Sequence, residues 1–186
     1  MTPGIGHNQG PTMEAGYGWR RHAWGKARAA LLPKLPVEVL RLRIRRAEEL
    51  GLPYKTYAGI RASTGRDVIG FLFSTNALRL IRAGDVLPED REAKLVALRA
   101  CARIAAAQPG FPLAELPVPP LDHGFAAPSF AESWSAMRDR IAAPLREAGL
   151  PADGVVIVGE TAMEREWVAA ARAAGFLAAD RYFGAA

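Results

Sequence analysis

Residues 155–161, Val155-Val156-Ile157-Val158-Gly159-Glu160-Thr161, decide the fold. Four consecutive β-branched side chains suit a short strand covered on both faces. Gly159-Glu160-Thr161 makes a tight exit. Residues 161–174 then place Met163, Trp167, Ala170 and Ala174 on one side of a helix, and Gly175 closes it. Residues 176–183, FLAADRYF, supply a short second strand. Strand, helix and strand within about thirty residues form a βαβ unit, right-handed by strong default.

Working outward, residues 68–73, VIGFLF, are a second continuous apolar run and read as another buried strand. Ser74-Thr75-Asn76 ends it and suits the cap of a short helix over 77–83. Residues 88–107 read as a helix. Pro88 fits its first turn, Glu89, Asp90 and Glu92 its positive end, and Leu95, Leu98, Ala102 and Ala105 its apolar stripe. Six prolines between Pro109 and Pro128 call for a long extended connection. Residues 129–148 are an amphipathic helix with Phe130, Trp134, Met137, Ile141 and Leu145 on one face. Ser129 is its expected N-cap, with Glu132 in a capping box. Residues 67–186 thus read as an α/β domain, a small mostly parallel sheet flanked by helices with a proline-rich loop at 109–128.

The N-terminal third differs. Residues 1–18 carry one charge, Glu14, and few aliphatic side chains, and read as a flexible arm. Gly4-Ile5-Gly6-His7-Asn8 resembles a short leader of bacterial and phage proteins. Residues 19–66 hold twelve basic side chains against Glu38, Glu48 and Glu49, a net charge of +9 against −4 on everything else. Residues 19–32 read as a helix with Trp24, Ala27 and Leu31 on one face. Residues 37–50 alternate Leu40, Leu42 and Ile44 with Arg41, Arg43 and Arg45, as a strand would. They also place Val37, Leu40, Ile44 and Ala47 on a helical face with Gly51 beyond its end, and helix is preferred. A further short helix from Tyr54 to about Ala62 gives the pair helix-turn-helix proportions around Gly51-Leu52-Pro53.

That charge bias points to a polyanion. Arg41, Arg43, Arg45, Lys55, Arg61 and Arg66 are the candidates for phosphate contacts, and Tyr54 or Trp24 for stacking on bases. A solvated basic face, or one that pairs with the acidic remainder of the chain or with a protein partner, would use the same residues.

The single cysteine, Cys101, excludes an intrachain disulfide and fits a reducing cytoplasm. No apolar run approaches a membrane span, and MTPGIGHNQG lacks the basic and apolar regions of a signal peptide, so no membrane partner is expected. His7, His22, His123 and Cys101 are too scattered for a metal site, no phosphate-binding loop is present, and no cofactor is expected. Asp122-His123 places an acid beside a histidine without a nucleophile.

In an open α/β sheet, ligands bind beyond the carboxyl ends of the strands. Two such ends are polar, at Ser74 and Asn76 and at Glu160 and Thr161. They would form an anion-binding cleft if their strands are parallel neighbours. Leu72-Phe73-Ser74-Thr75-Asn76, then Lys94, then Val156-Ile157-Val158-Gly159-Glu160-Thr161 and Ala173-Ala174-Gly175 resemble part of the haloacid dehalogenase-like (HAD) core. The resemblance implies a hydroxyl and a lysine on a phosphoryl group, and acids after the final strand on Mg²⁺. The Asp-x-Asp nucleophile motif of that family has no counterpart here, since Asp67 is the only aspartate before Ser74. The expected function is therefore a non-enzymatic nucleic-acid-binding or regulatory protein. The alternatives are a small α/β enzyme acting on a phosphorylated or anionic metabolite, and a subunit of a protein assembly.

Overall fold

The computed structural model describes residues 35–184. From residue 41 on, the described residues belong to one compact unit. The arm 1–18, the helix expected over 19–32 and Trp24 lie outside the described residues.

Six α-helices and one five-stranded sheet are described. Helix α1 (Val37–Glu49) and α2 (Tyr54–Thr64) precede β1 (Gly70–Ser74). Then come α3 (Glu89–Ala97), β2 (Ala102–Ala107), β3 (His123–Ala126), α4 (Trp134–Glu147), β4 (Val155–Gly159), α5 (Ala162–Ala171), β5 (Gly175–Ala178) and α6 (Ala179–Phe183). The strands lie in the order β3-β2-β1-β4-β5, all parallel. The chain builds β1, β2 and β3 toward one edge, then returns to place β4 on the other side of β1.

Alternation along the strands splits the core into two layers. Phe71, Phe73, Ala105, Val156 and Val158 face one layer with Ala47, Leu50, Leu52, Tyr57, Leu95 and Tyr182. Leu72, Ile104, Ala106, Val155 and Ile157 face the other with Met137, Ile141, Leu145 and Trp167. All of β1 and β4 is buried, as continuous apolar runs require in a sheet covered on both faces. Each large side chain so buried contributes about 1.5–3 kcal/mol.

Residues 37–49 are helical, as preferred. From Arg41 on, α1, α2 and the turn between them belong to the same compact unit as the sheet and bury Ala47, Leu50, Leu52 and Tyr57 in its first core layer. Arg46 is the staple. Its guanidinium donates to Asp67 Oδ2 (3.0 Å), Glu49 Oε2 (3.0 Å) and the carbonyls of Val68 (2.9 Å), Arg99 (3.1 Å) and Ala100 (3.0 Å). One cation therefore joins α1 to the start of β1 and to the turn before β2. Asp67 is held in addition by the Tyr57 hydroxyl at 2.8 Å.

Several boundaries depart from the sequence reading. The helix expected over 88–107 stops at Ala97, and Ala102–Ala107 is strand β2. Ala100, at φ 49°, lies in the left-handed region between them. Alanine favours helix by well under 1 kcal/mol per residue. Placing Ala105 beside Phe73 and Ala102 beside Gly70, where a Cβ on Gly70 would meet that of Ala102 at 3.3 Å, outweighs that preference. No helix forms over 77–83. The Ser74 hydroxyl accepts from the Ala77 amide (3.1 Å), as a cap would, but Arg79 at φ 61° stops propagation. The proline-rich loop ends in strand β3, at Gly124, where a Cβ would run into Leu116 and the Ala105 carbonyl. Helix α4 begins at Trp134 with Ser133 as N-cap. Glu132 pairs with Arg140 at 2.9 Å in place of the expected capping box. The strand expected over 176–183 is β5 followed by α6, because Tyr182 turns back onto Phe71 and Phe73 at ring distances of 5.2 and 5.9 Å.

Cys101 is half-buried beside the core, and burial pushes its thiol up to about 11. Near neutral pH it should therefore react slowly with iodoacetamide while the protein is folded and quickly once unfolded, which mass spectrometry of alkylated protein checks. Arg46→Ala strands three carbonyls and Asp67. It should lower the unfolding free energy by about 3 kcal/mol in urea titrations, whereas Arg45→Ala, an exposed position one residue away, should change it by less than about 0.5 kcal/mol.

Candidate functional site

Strands β1 and β4 are adjacent and parallel, with Phe73 opposite Val158. Ser74-Thr75-Asn76 and Glu160-Thr161 therefore leave the sheet side by side, at the point where the strand order reverses. Gln108 joins them from the end of β2, which pairs with β1 on its other side.

At the centre of this cluster is a residue that the sequence reading did not select, Glu164 in the first turn of α5. It is fully buried. Its Oε1 accepts from Asn76 Nδ2 (2.9 Å) and Gln108 Nε2 (2.8 Å). Its Oε2 accepts from the backbone amides of Glu160 (2.6 Å) and Thr161 (2.9 Å). In return the Thr161 hydroxyl accepts from the Glu164 amide at 3.2 Å, completing a capping box. Four donors and the positive end of α5 offset the desolvation of this carboxylate. The backbone amides that follow Gly159 cradle the chain's own carboxylate.

Glycine at 159 follows from that placement. A Cβ there would lie 2.9 Å from Glu164 Oε2 and 2.7 Å from the Phe176 ring. Ser74 is wholly buried and spent on the Ala77 amide. Thr75, also buried, accepts from the Gln108 amide at 3.0 Å. Toward solvent, Glu160 pairs with Arg79 at 2.8 Å. Arg91 lies beneath, donating to the Ala77 carbonyl (2.9 Å) and stacked on Phe183. Burial lowers its pKa. The polar groups that remain open at the crevice are Asn76, Arg79, Glu160 and Thr161.

The basic candidates do not converge in this way. Arg61 lies 3.7 Å from Asp67, and Arg66 pairs with Asp153 at 2.7 Å. Arg41 and Arg45 are exposed on α1, Arg43 is half-buried there, and Lys55 is exposed on α2. Tyr54 is half-buried and packs against the core. Lys94, to which the family resemblance gives a phosphate role, donates to the Tyr182 carbonyl and lies over its ring at 4.5 Å. Burial lowers its pKa. Asp122 accepts from Arg103 and not from its neighbour His123. Among the described residues no three metal-ligating side chains cluster, and no helix is long and apolar enough to cross a membrane.

The missed residues had one readable signal. Thr161-x-x-Glu164 is a capping-box pattern directly after a strand, which places its acid at a helix N-terminus. Gln108 had none, because it acts only once β2 exists beside β1.

Glu164→Gln keeps the shape but turns an amide NH₂ toward two donors. It should cost about 2 kcal/mol in urea unfolding, and Glu164→Ala about 3 kcal/mol or more. Asn76→Ala, which removes one of four donors, should cost about 1 kcal/mol. Compared with protein-family models, with curated proteins and with solved structures, the chain matches none.

Proposed function

We propose that the protein is a non-enzymatic cytoplasmic α/β protein that binds nucleic acid through its basic N-terminal third. The observation that carries this reading is how the structure divides the basic side chains. Arg46, Arg61 and Arg66 are paired with acids of the same unit. Arg43, Arg45 and Lys55, on consecutive helices, have no acidic partner within ion-pair distance among the described residues. These three are the positions at which phosphates can be met without giving up an ion pair, whereas Arg61 and Arg66 would have to exchange theirs. The filled cradle at the reversal point supports a binding role over phosphate chemistry there.

Binding to a single-stranded or duplex oligonucleotide should weaken as salt rises. Replacing Arg43, Arg45 and Lys55 by Gln together should make the slope of log K against log salt shallower by about 2–3. Absent or salt-insensitive binding of the unaltered chain at low ionic strength overturns the reading.

A second reading rests on the crevice itself. The parallel contact of β1 with β4 brings Asn76, Arg79, Glu160 and Thr161 to the position where doubly wound sheets take ligands. A small anionic metabolite would compete with Glu160 for Arg79. If so, Arg79→Ala should abolish inorganic phosphate or carboxylate binding in calorimetry, and an unchanged titration would dismiss that site.

A further inference from the structure

The sheet ends at β5, and no strand pairs with its outer side among the described residues. An exposed strand edge is a template for another chain unless something covers or blocks it. Here α2 stands alongside, leaving an open groove of about 390 Å³ between Lys55, Thr56 and Gly59 on one side and Gly175 and Leu177 on the other, with Arg181 at its end. Its walls are bare at two points: a Cβ on Gly59 or on Gly175 would meet nothing within 4 Å. A smaller and more enclosed apolar pocket of about 100 Å³ adjoins it and shares Thr56, Leu177 and Arg181. No acidic side chain lines either space, and the two cations, Lys55 and Arg181, are exposed.

We infer that this edge is a docking site for an extended acidic peptide segment of a partner protein. The peptide adds as a strand to β5, sets one aliphatic side chain in the small pocket and directs carboxylates at Lys55 and Arg181. Main-chain bonding to the edge supplies affinity that is blind to sequence, and the pocket and charges supply selection. Residues two apart on a strand share a face. The preferred pattern is therefore acid-x-aliphatic-x-acid. The site goes beyond the nucleic-acid reading and shares only Lys55 with it.

The test uses the full chain, isotope-labelled for NMR, and the peptide Ser-Glu-Thr-Leu-Thr-Glu-Ser. Saturable shifts should fall on the backbone amides of β5 and on α2. Replacing both peptide Glu residues by Lys, or Arg181 by Glu in the protein, should weaken binding by about tenfold or more. Methylating the peptide's central backbone nitrogens should abolish it, since they can then no longer donate to the edge. The Arg181→Glu spectrum itself reports whether the variant is folded. No shift on β5 at millimolar peptide overturns the inference, as does undiminished binding of the methylated peptide. An oligonucleotide that displaces the peptide and shifts the same amides also overturns it, by giving the groove to nucleic acid. Loss of oligonucleotide binding through Arg43 and Arg45, which do not line the groove, leaves the peptide result untouched.

Discussion

One buried carboxylate holds the ends of three strands together. Glu164 takes Asn76 from beyond β1, Gln108 from beyond β2, and the two amides that follow β4. A charge at zero exposure is tolerable only where its oxygens are fully bonded and a helix N-terminus faces it. That requirement sets much around it. Gly159 must lack a side chain, Thr161 must cap α5, and the loops after β1 and β2 must bring amide side chains inward. The crevice in which α/β sheets hold ligands is here closed at its floor by the protein itself. Only the outer ring of Asn76, Arg79, Glu160 and Thr161 stays open.

A second charge does the same at the opposite ends of the strands. Arg46 saturates its guanidinium on two carboxylates and three carbonyls where α1 meets the start of β1. Its presence explains why net charge alone misjudges this surface. Among the described basic side chains of the basic third, Arg46, Arg61 and Arg66 lie within ion-pair distance of Asp67 or Asp153, and Arg45 and Lys55 are exposed on α1 and α2. The proposed nucleic-acid surface differs from the groove beside β5, where the cations sit next to a strand edge with no partner among the described residues and next to an apolar pocket. The occupant proposed for that groove is a carboxylate-bearing peptide, since main-chain bonding to a strand edge requires a peptide.

Much of the fold was legible in the sequence because its period and its chemistry agreed. Val155–Val158 is a β-branched run and Phe71–Phe73 an apolar run with two aromatic members, both too short for helices, and both lie in inner strands of the sheet. The stripes around Met137 and Trp167 are helices facing the second core layer. The reading failed where propensity and tertiary packing disagreed. Ala102–Ala107 has the composition of a helix, yet it lies flat beside β1 because small side chains fit against Phe73 and Gly70. His123–Ala126 lies inside a proline-rich stretch and gains strand character only by pairing with β2. Of the candidate cleft, Ser74, Asn76, Glu160 and Thr161 were legible as polar strand ends. Their partner Glu164 was marked only by the Thr161-x-x-Glu164 capping-box pattern, and Gln108 gave no local sign at all.

The sequence by itself determined that this chain is α/β, that its sheet is mostly parallel, that two polar strand ends exist, and that its positive charge is concentrated in residues 19–66. These follow from local rules: side-chain branching, periodicity and the count of ionisable groups. Only the tertiary structure decided that β1 and β4 are neighbours, that the anion cradle between them is already filled by Glu164, and which arginines are structural. Each of those depends on groups separated by tens of residues, such as Asn76 and Glu164, or Arg46 and Asp67. Pairing across that distance is set by burial and hydrogen-bond completion, which no local pattern records.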